Sequence, residues 1–141
     1  MKNLLTRALL ILFAFVALAL PAAAQGTQGI PYSYLSAATN NATLVYAGPS
    51  LAKALIVVNT NNTVYYLKLY NKATAPTCGT DTPVQRIPIP AANTGGGFVT
   101  VSLEDMRFPL GFGFCLVGGI ADNDNTNAAT GIAINFSLSW Q

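Results

Sequence analysis

The feature that most constrains the fold is a strict alternation of apolar and polar side chains over residues 132–140. Its apolar positions recur at every second residue: Ile132, Ile134, Phe136, Leu138 and Trp140. The residues between them are small or polar: Ala133, Asn135, Ser137 and Ser139. A period of two places all apolar side chains on one face of a strand. We therefore predict a β-strand with one buried face, which includes Phe136 and Trp140, and one solvated face.

Other segments of the chain also have the composition of strands, being rich in Val, Ile, Leu, Tyr and Phe. They are residues 55–58, 63–70, 84–89, 98–103 and 110–117. After residue 24 no stretch shows a helical period, so we predict one all-β domain, an antiparallel β-sandwich of the jelly-roll kind. The Asn-rich turn at 59–62 predicts a hairpin between its flanking strands. Pro88 and Pro90 cannot donate to a sheet ladder, which predicts an edge strand.

The segment 63–70 presents two different faces. Tyr65, Leu67 and Leu69 share one parity and are predicted to face the core. The opposite parity is predicted to face outward and consists of Val64, Tyr66, Lys68 and Tyr70. An outward face with this much apolar surface indicates contact with a second copy of the chain. Val64, Tyr66 and Tyr70 are therefore the candidate interface or ligand residues, and the alternative is an aromatic platform for a carbohydrate or glycan.

The N-terminal residues 1–24 have the pattern of a secretory signal peptide. Lys2 and Arg7 precede an apolar run that is shorter than the roughly 20 residues needed to span a bilayer. Pro21 ends the run, and three alanines precede Gln25. We therefore expect a secreted or periplasmic protein without a membrane anchor after cleavage. Its mature part is predicted to consist of a flexible arm at 25–40, with one short strand at 32–35, and a sandwich domain at 41–141.

The charge of the mature chain excludes some partners. Lys2 and Arg7 account for two of the seven basic residues, so residues 25–141 carry five basic and five acidic side chains and are formally neutral. Nucleic-acid binding depends on basic side chains that neutralise phosphates, and binding to anionic lipid needs a basic patch. The composition therefore predicts neither partner. A net charge near zero favours self-association, which predicts a homo-oligomer.

The chain has two cysteines, Cys78 and Cys115. An even number of cysteines in an exported chain is typical of a disulfide. The other interpretation is a pair of separately buried thiols, which pack as small hydrophobic groups.

Residues for catalysis or metal binding are scarce. The sequence has no histidine, which excludes a Ser-His-Asp or Cys-His arrangement. Glu104 and Asp105 are adjacent, so a regular strand would turn them to opposite faces. Asp122 and Asp124 are weak calcium candidates, because alternate acids in a loop can converge on the ion but the Gly and the late Glu of an EF-hand are missing. The sequence predicts a non-enzymatic protein with no cofactor.

The stretch from Tyr66 to Pro83, YLKLYNKATAPTCGTDTP, is the most distinctive of the chain. It resembles a family of small β-rich proteins from tailed bacteriophages and prophages. The likeness continues at residues 39–43, 58–61, 87–90, 111–114 and 121–124. Members of this family are mostly uncharacterised, and some are regarded as structural or decoration proteins of the virion surface.

The resemblance implies a non-catalytic, structural role that depends on self-assembly or on contact with a particle surface. The family has an aliphatic residue in place of Cys78 and no cysteine in place of Cys115, and this double exchange supports a bond between them. The chain also differs from the family in its signal peptide.

Overall fold

The computed structural model describes residues 29–94 and 97–140, and the predicted signal peptide lies outside these ranges. Within them the chain forms eight β-strands and one short 3-10 helix. The strands are β1 (Ile30–Leu35), β2 (Thr43–Tyr46), β3 (Ser50–Val58), β4 (Tyr65–Asn71), β5 (Gln85–Ile89), β6 (Phe98–Phe108), β7 (Phe112–Val117) and β8 (Ala133–Trp140), and the helix covers Ala92–Thr94.

The strands form two four-stranded sheets that pack as a sandwich. Sheet A has the order β1-β8-β3-β6 and sheet B has the order β2-β7-β4-β5. All neighbouring strands are antiparallel. This interleaved order is that of an eight-stranded jelly roll, in which two Greek keys are wound together. The prediction of an all-β sandwich of the jelly-roll kind is confirmed.

The hairpin predicted around residues 59–62 is wrong. The first of its two strands, β3, belongs to sheet A, whereas β4 belongs to sheet B. The connection crosses between the sheets and is shaped by the buried side chain of Asn59. Its Nδ2 donates to the carbonyl oxygens of Thr63 (2.8 Å) and Pro90 (2.9 Å), and its Oδ1 accepts from the Asn61 N–H at 3.0 Å. The Asn-rich segment therefore supplies hydrogen bonds to the backbone of a connection between the two sheets, and it does not form the turn of a hairpin.

The flexible arm predicted at 25–40 is also wrong for its described part, although the short strand predicted within it at 32–35 is present. Residues Ile30–Leu35 form β1, which pairs with β8 along its whole length. Tyr34 packs edge-on against Phe114 of the other sheet, with ring centroids 5.1 Å apart. Its hydroxyl donates to Oδ1 of the buried Asn41 at 2.9 Å. The folded domain thus includes β1 and does not begin at residue 41.

The core lies between the inner faces of the two sheets and contains a series of touching aromatic rings. Phe112 and Phe114 of sheet B both contact Phe136 of sheet A, at centroid distances of 4.9 Å and 5.7 Å. Phe108 extends the series to β6 through Phe112 at 4.6 Å. These rings bury large apolar area and join the two sheets, which stabilises the sandwich.

The alternation of β8 is confirmed as far as Leu138, but the two residues after it depart from the prediction. Ser139, predicted to be solvated, is only 7% exposed. Phe136 is buried and Asn135 is exposed, as predicted. Trp140 is 36% exposed, so the prediction that it is buried is wrong. It lies at the end of the sandwich, where its ring stacks on Tyr46 of sheet B at 4.2 Å. The alternation correctly predicted which face of β8 carries Trp140, but the core does not extend as far as this residue.

Each of the four edge strands carries a feature that hinders pairing with another strand. The predicted edge strand, β5, lies at the edge of sheet B and contains Pro88. At the other edge, β2 has four residues and a register shift. In sheet A, β6 contains Glu104 and Asp105 at positive φ (49° and 58°), opposite an irregular register, and β1 contains Pro31. Such features are typical of edges that resist strand addition.

Candidate functional site

The two outer faces of the sandwich differ in their cover. The outer face of sheet B lies under two long loops of the same chain, residues 72–84 and 118–131, which we call the roof. The roof and the sheet enclose a second small core of Tyr70, Cys78, Cys115 and Val117. Gly79, at φ 82°, lies where the two loops meet, and a Cβ there would be 2.9 Å from the Asn123 carbonyl oxygen. The loops therefore pack against each other as well as against the sheet.

A disulfide attaches the roof to sheet B. Cys78 of the first loop is bonded to Cys115 of β7, as predicted. Asp81 strengthens the same loop, because its Oδ2 accepts from the Lys72 ammonium at 2.6 Å and from the Thr77 N–H at 2.7 Å. These two hydrogen bonds lower the pKa of Asp81. Since disulfides form and persist in oxidising compartments, the bond indicates that the chain works outside a reducing cytosol.

A buried cation holds the second loop of the roof. Lys68 of β4 is fully buried, and its Nζ donates to the carbonyl oxygens of Ala121 (2.5 Å) and Asp124 (2.9 Å). Burial lowers the pKa of Lys68, while the nearby carboxylates of Asp124 and Asp122 act against this. The chain's own ammonium group is thus the cation that this loop coordinates.

This arrangement bears on the calcium candidates, Asp122 and Asp124. Asp122 forms an ion pair with Arg86. Oδ1 of Asp124 accepts from the Gly119 N–H, the Thr126 N–H and the Thr126 hydroxyl. Burial acts to raise the pKa of Asp124, but these hydrogen bonds and Lys68 lower it overall. The described residues include no group of three or more His, Cys, Asp or Glu side chains placed to hold a metal ion.

The prediction that the second face of β4 points to solvent is wrong. Tyr70 is 1% exposed and Lys68 is fully buried, both beneath the roof, and Tyr66 is half-buried against the same small core. Only Val64, just before β4, has a substantially exposed side chain. Tyr70 is therefore not available as an interface or ligand residue, and Tyr66 is available only in part.

The outer face of sheet A, in contrast, has no cover among the described residues. Cross-strand pairing arranges most of its outward side chains in three rows, each running from β1 through β8 and β3 to β6. The rows are Leu35, Ala133, Val58 and Phe98; Ser33, Asn135, Ile56 and Thr100; and Pro31, Ser137, Ala54 and Ser102. We call these three rows the open face. None of its residues carries a charge, and most have small side chains. A shorter fourth row of Ser139, Leu51 and Arg107 borders the open face and places a guanidinium group beside it.

Three large apolar side chains stand out from the open face. Leu35 is 67% exposed, Phe98 is 57% exposed and Ile56 is 41% exposed. Leu35 and Phe98 end the first row at its two edges, and Ile56 lies near the centre of the face. A contiguous apolar patch on a small domain is typical of a surface that contacts another molecule.

The open face also contains a shallow depression. It has a volume of about 120 Å³ and is lined by Ala54, Ile56, Asn135, Phe136 and Ser137. Because Ala54 and Ser137 are small, the surface is low between their larger neighbours. The ring of Phe136 points the other way, into the core, where it contacts Phe112 and Phe114. The lining has no titratable group. The depression is therefore suited to an apolar group and not to acid–base chemistry.

The acidic pair considered for catalysis lies elsewhere. Glu104 and Asp105 are exposed residues of the irregular part of β6, and their left-handed backbone replaces the regular strand geometry assumed in the prediction. Among the described residues no helix is long and apolar enough to cross a membrane.

The open face was missed from the sequence although part of its signal was present. Residues 55–58 form a continuous apolar run, which gives no parity to separate Ile56 from its buried neighbours Leu55 and Val57. Phe98 has the parity opposite to Val99 and Val101, a signal for the outer face that was not used. Leu35 was part of the short strand predicted at 32–35, but that strand was assigned to a flexible arm and not to the sandwich.

Comparisons of the chain with models of protein families, with curated proteins and with solved structures find no match.

Proposed function

We propose that this protein is an exported, non-enzymatic structural protein that works by self-association, in the manner of the phage structural proteins that residues 66–83 resemble. The observation that carries the proposal is the asymmetry of the sandwich. Sheet B is roofed by its own chain, whereas sheet A presents a flat, uncharged face with exposed Leu35, Ile56 and Phe98.

A second copy of the chain is the partner that this face fits best. Two uncharged faces can meet without like-charge repulsion and without leaving a buried charge unpaired. A nucleic acid or an acidic surface would find no basic group on it. The blunted strand edges hinder association by edge pairing, so the face is the remaining route.

The area of the open face sets the strength of such an association. Four strands at about 4.8 Å and three rows at about 6.7 Å span roughly 20 Å by 20 Å, or about 400 Å² per copy. The pair then buries about 800 Å² in total, which is below the roughly 1,200–2,000 Å² of stable interfaces and falls among weak, transient ones. We therefore expect a weak, reversible dimer that forms at micromolar concentrations.

Light scattering of residues 25–141 over a concentration series tests the proposal. We expect the wild-type chain to dimerise and Ile56→Lys to remain monomeric, because the lysine places a charge at the centre of the interface. Matched controls are Ile120→Lys and Val84→Lys, which alter exposed apolar residues outside the open face and should dimerise normally.

An Ile56→Lys variant that dimerises as well as its controls would contradict the open face as the interface. A wild-type monomer at high micromolar concentration would contradict self-association itself. That result would favour the glycan-binding alternative. Its aromatic platform is not formed by the tyrosines of β4, since Tyr65 and Tyr70 are buried. The stacked pair of Tyr46 and Trp140 at the end of the sandwich is the partly exposed aromatic surface that a sugar ring could contact.

A further inference from the structure

Resting on the proposed self-association, we infer that the depression in the open face receives the Phe98 ring of a second copy, and that a two-fold axis makes this contact twice. The open face carries both halves of such a contact. The ring of Phe98 is a protruding apolar group, and the depression at Ala54, Ile56 and Phe136 is a hollow with an apolar floor.

The ring that fills the depression comes from another molecule. Phe98 pairs with Val58, whereas Ala54, at the depression, pairs with Ser102, four residues further along β6. At about 3.3 Å per residue the separation is about 13 Å along the strand. A side chain does not reach that far, so Phe98 cannot occupy the depression of its own chain.

Two-fold symmetry suits this pair of features. In an isologous interface each surface element of one copy meets its counterpart on the other, and every contact occurs twice. An axis that passes midway between Phe98 and the depression lies close to Ile56 and Thr100, which are paired neighbours on β3 and β6. The same rotation therefore seats both Phe98 rings and brings the two copies of Ile56 close together near the centre.

The size and chemistry of the hollow favour an aromatic ring. Its volume, about 120 Å³, is comparable to that of an apolar cavity of about 150 Å³ that binds benzene. The exposed lining of the hollow is mostly apolar, which suits the flat apolar ring of an incoming Phe side chain. Leu35 is more exposed than Phe98, but it has no aromatic group and lies at the far edge of the face, on β1.

A double-mutant cycle on the dissociation constant of the dimer tests this contact. Phe98→Ala removes the ring, and we expect it to weaken dimerisation about tenfold or more, as the loss of an apolar anchor seated in a pocket does. Ala54→Leu fills the hollow from its own chain and should also weaken dimerisation, although it adds apolar area. The double variant should be no weaker than either single variant, because each removes the same contact.

The controls separate this contact from non-specific apolar association of the open face. Leu35→Ala should weaken dimerisation less than Phe98→Ala. Each altered residue is on the outer face, so unfolding of the variants should match the wild type at concentrations where all are monomeric.

If Ala54→Leu strengthens dimerisation, or if the effects of the two single variants add, the inference is overturned while the proposed self-association stands. If the wild-type chain is a monomer, both this inference and the proposed self-association are wrong, and the open face contacts something other than a second copy. The chain's own residues before Gly29 would then be the first to consider, since a Cβ at Gly29 would be 1.7 Å from the Ser137 Oγ.

Discussion

At the residue scale, Tyr70 of β4 places a polar group beneath the roof over sheet B. The hydroxyl of Tyr70 is buried and has no hydrogen-bond partner among the described residues. Burial raises the pKa of Tyr70 to about 12, and the carboxylates of Asp81 and Asp122 add to this. A buried hydroxyl without a hydrogen bond costs free energy, so the ring of Tyr70 stabilises the roof by its apolar contacts and not by its oxygen.

Replacing Tyr70 by Phe is expected to leave the free energy of unfolding at pH 7 unchanged or slightly raised, because only an unpaired hydroxyl is lost. The variant should also resist alkali better than the wild type. In the unfolded chain the tyrosine loses its proton near pH 10, whereas the folded state holds it until about pH 12. Between these values the unfolded state binds fewer protons, so the stability of the wild type falls as the pH rises.

The contribution of Tyr70 is thus complete below pH 10 and is lost towards pH 12, a change of roughly 2–3 kcal/mol at 1.36 kcal/mol per pH unit. Chemical unfolding at pH 7 and pH 11 measures about half of this change, roughly 1.4 kcal/mol, because pH 11 is midway between the two pKa values. The matched control for removal of a tyrosine hydroxyl is Tyr66→Phe, on the same face of β4. If Tyr70→Phe destabilises the protein at pH 7 by more than 1 kcal/mol or so, the hydroxyl has a partner after all.

At the element scale, β1 is an integral part of the sandwich. It closes one edge of sheet A, supplies Leu35 to the open face and places Tyr34 against Phe114 in the core. The loop after it is held by the buried Asn41, at φ 51°, whose Oδ1 accepts from the Tyr34 hydroxyl and from the Ala37 N–H. The loss of β1 would therefore expose part of the core and leave β8 as a long unprotected edge.

Truncation tests the role of β1. A chain that starts at Gly29 is expected to unfold cooperatively at the same denaturant concentration as residues 25–141. A chain that starts at Asn41 lacks β1 and should lose most of a domain's net stability, which is only about 5–15 kcal/mol. Chemical unfolding followed by tryptophan fluorescence and circular dichroism measures both. Equal midpoints for the two truncated chains would restore the flexible arm that the sequence predicted.

At the scale of the whole molecule, the two outer faces have separate roles. The roof, the disulfide and the Lys68 ammonium all lie on sheet B, and the proposed interface lies on sheet A. The inner core separates the two faces. Substitutions at distant sites without shared partners have nearly independent effects. The stability of the roof and the affinity of the dimer should therefore vary independently.

Removal of the disulfide tests this independence. The double variant Cys78→Ala, Cys115→Ala should lose roughly 2–5 kcal/mol of stability, the usual cost for a small secreted domain. Its dimer dissociation constant should stay that of the wild type at temperatures where it remains folded, since no residue of the open face is altered. Denaturant unfolding and light scattering report the two quantities, and a dimer that dissociates when the bond is removed would place the interface on the roof.

The amino-acid sequence alone was enough to predict the fold class and much of the strand content of this protein. Alternation over β8 identified its buried face as far as Leu138, because the period of two depends only on the geometry of the extended backbone. Proline marked β5 as an edge strand, because the missing N–H is a property of the residue itself. The count of two cysteines predicted the disulfide, because an even number of cysteines is typical of one. These are local properties, which a single chain reveals.

The tertiary structure alone decided which strands are neighbours and what covers each face. Parity showed that Tyr66 and Tyr70 point away from the core, but not that residues 72–84 and 118–131 fold back over them. The segment 59–62 has the composition of a hairpin turn. Whether its two flanking strands join the same sheet depends, however, on contacts between residues far apart in the chain. Whether a sheet face is covered depends on segments far apart in the chain. The open face with Ile56 and Phe98 is therefore recognisable only from the arrangement of all eight strands.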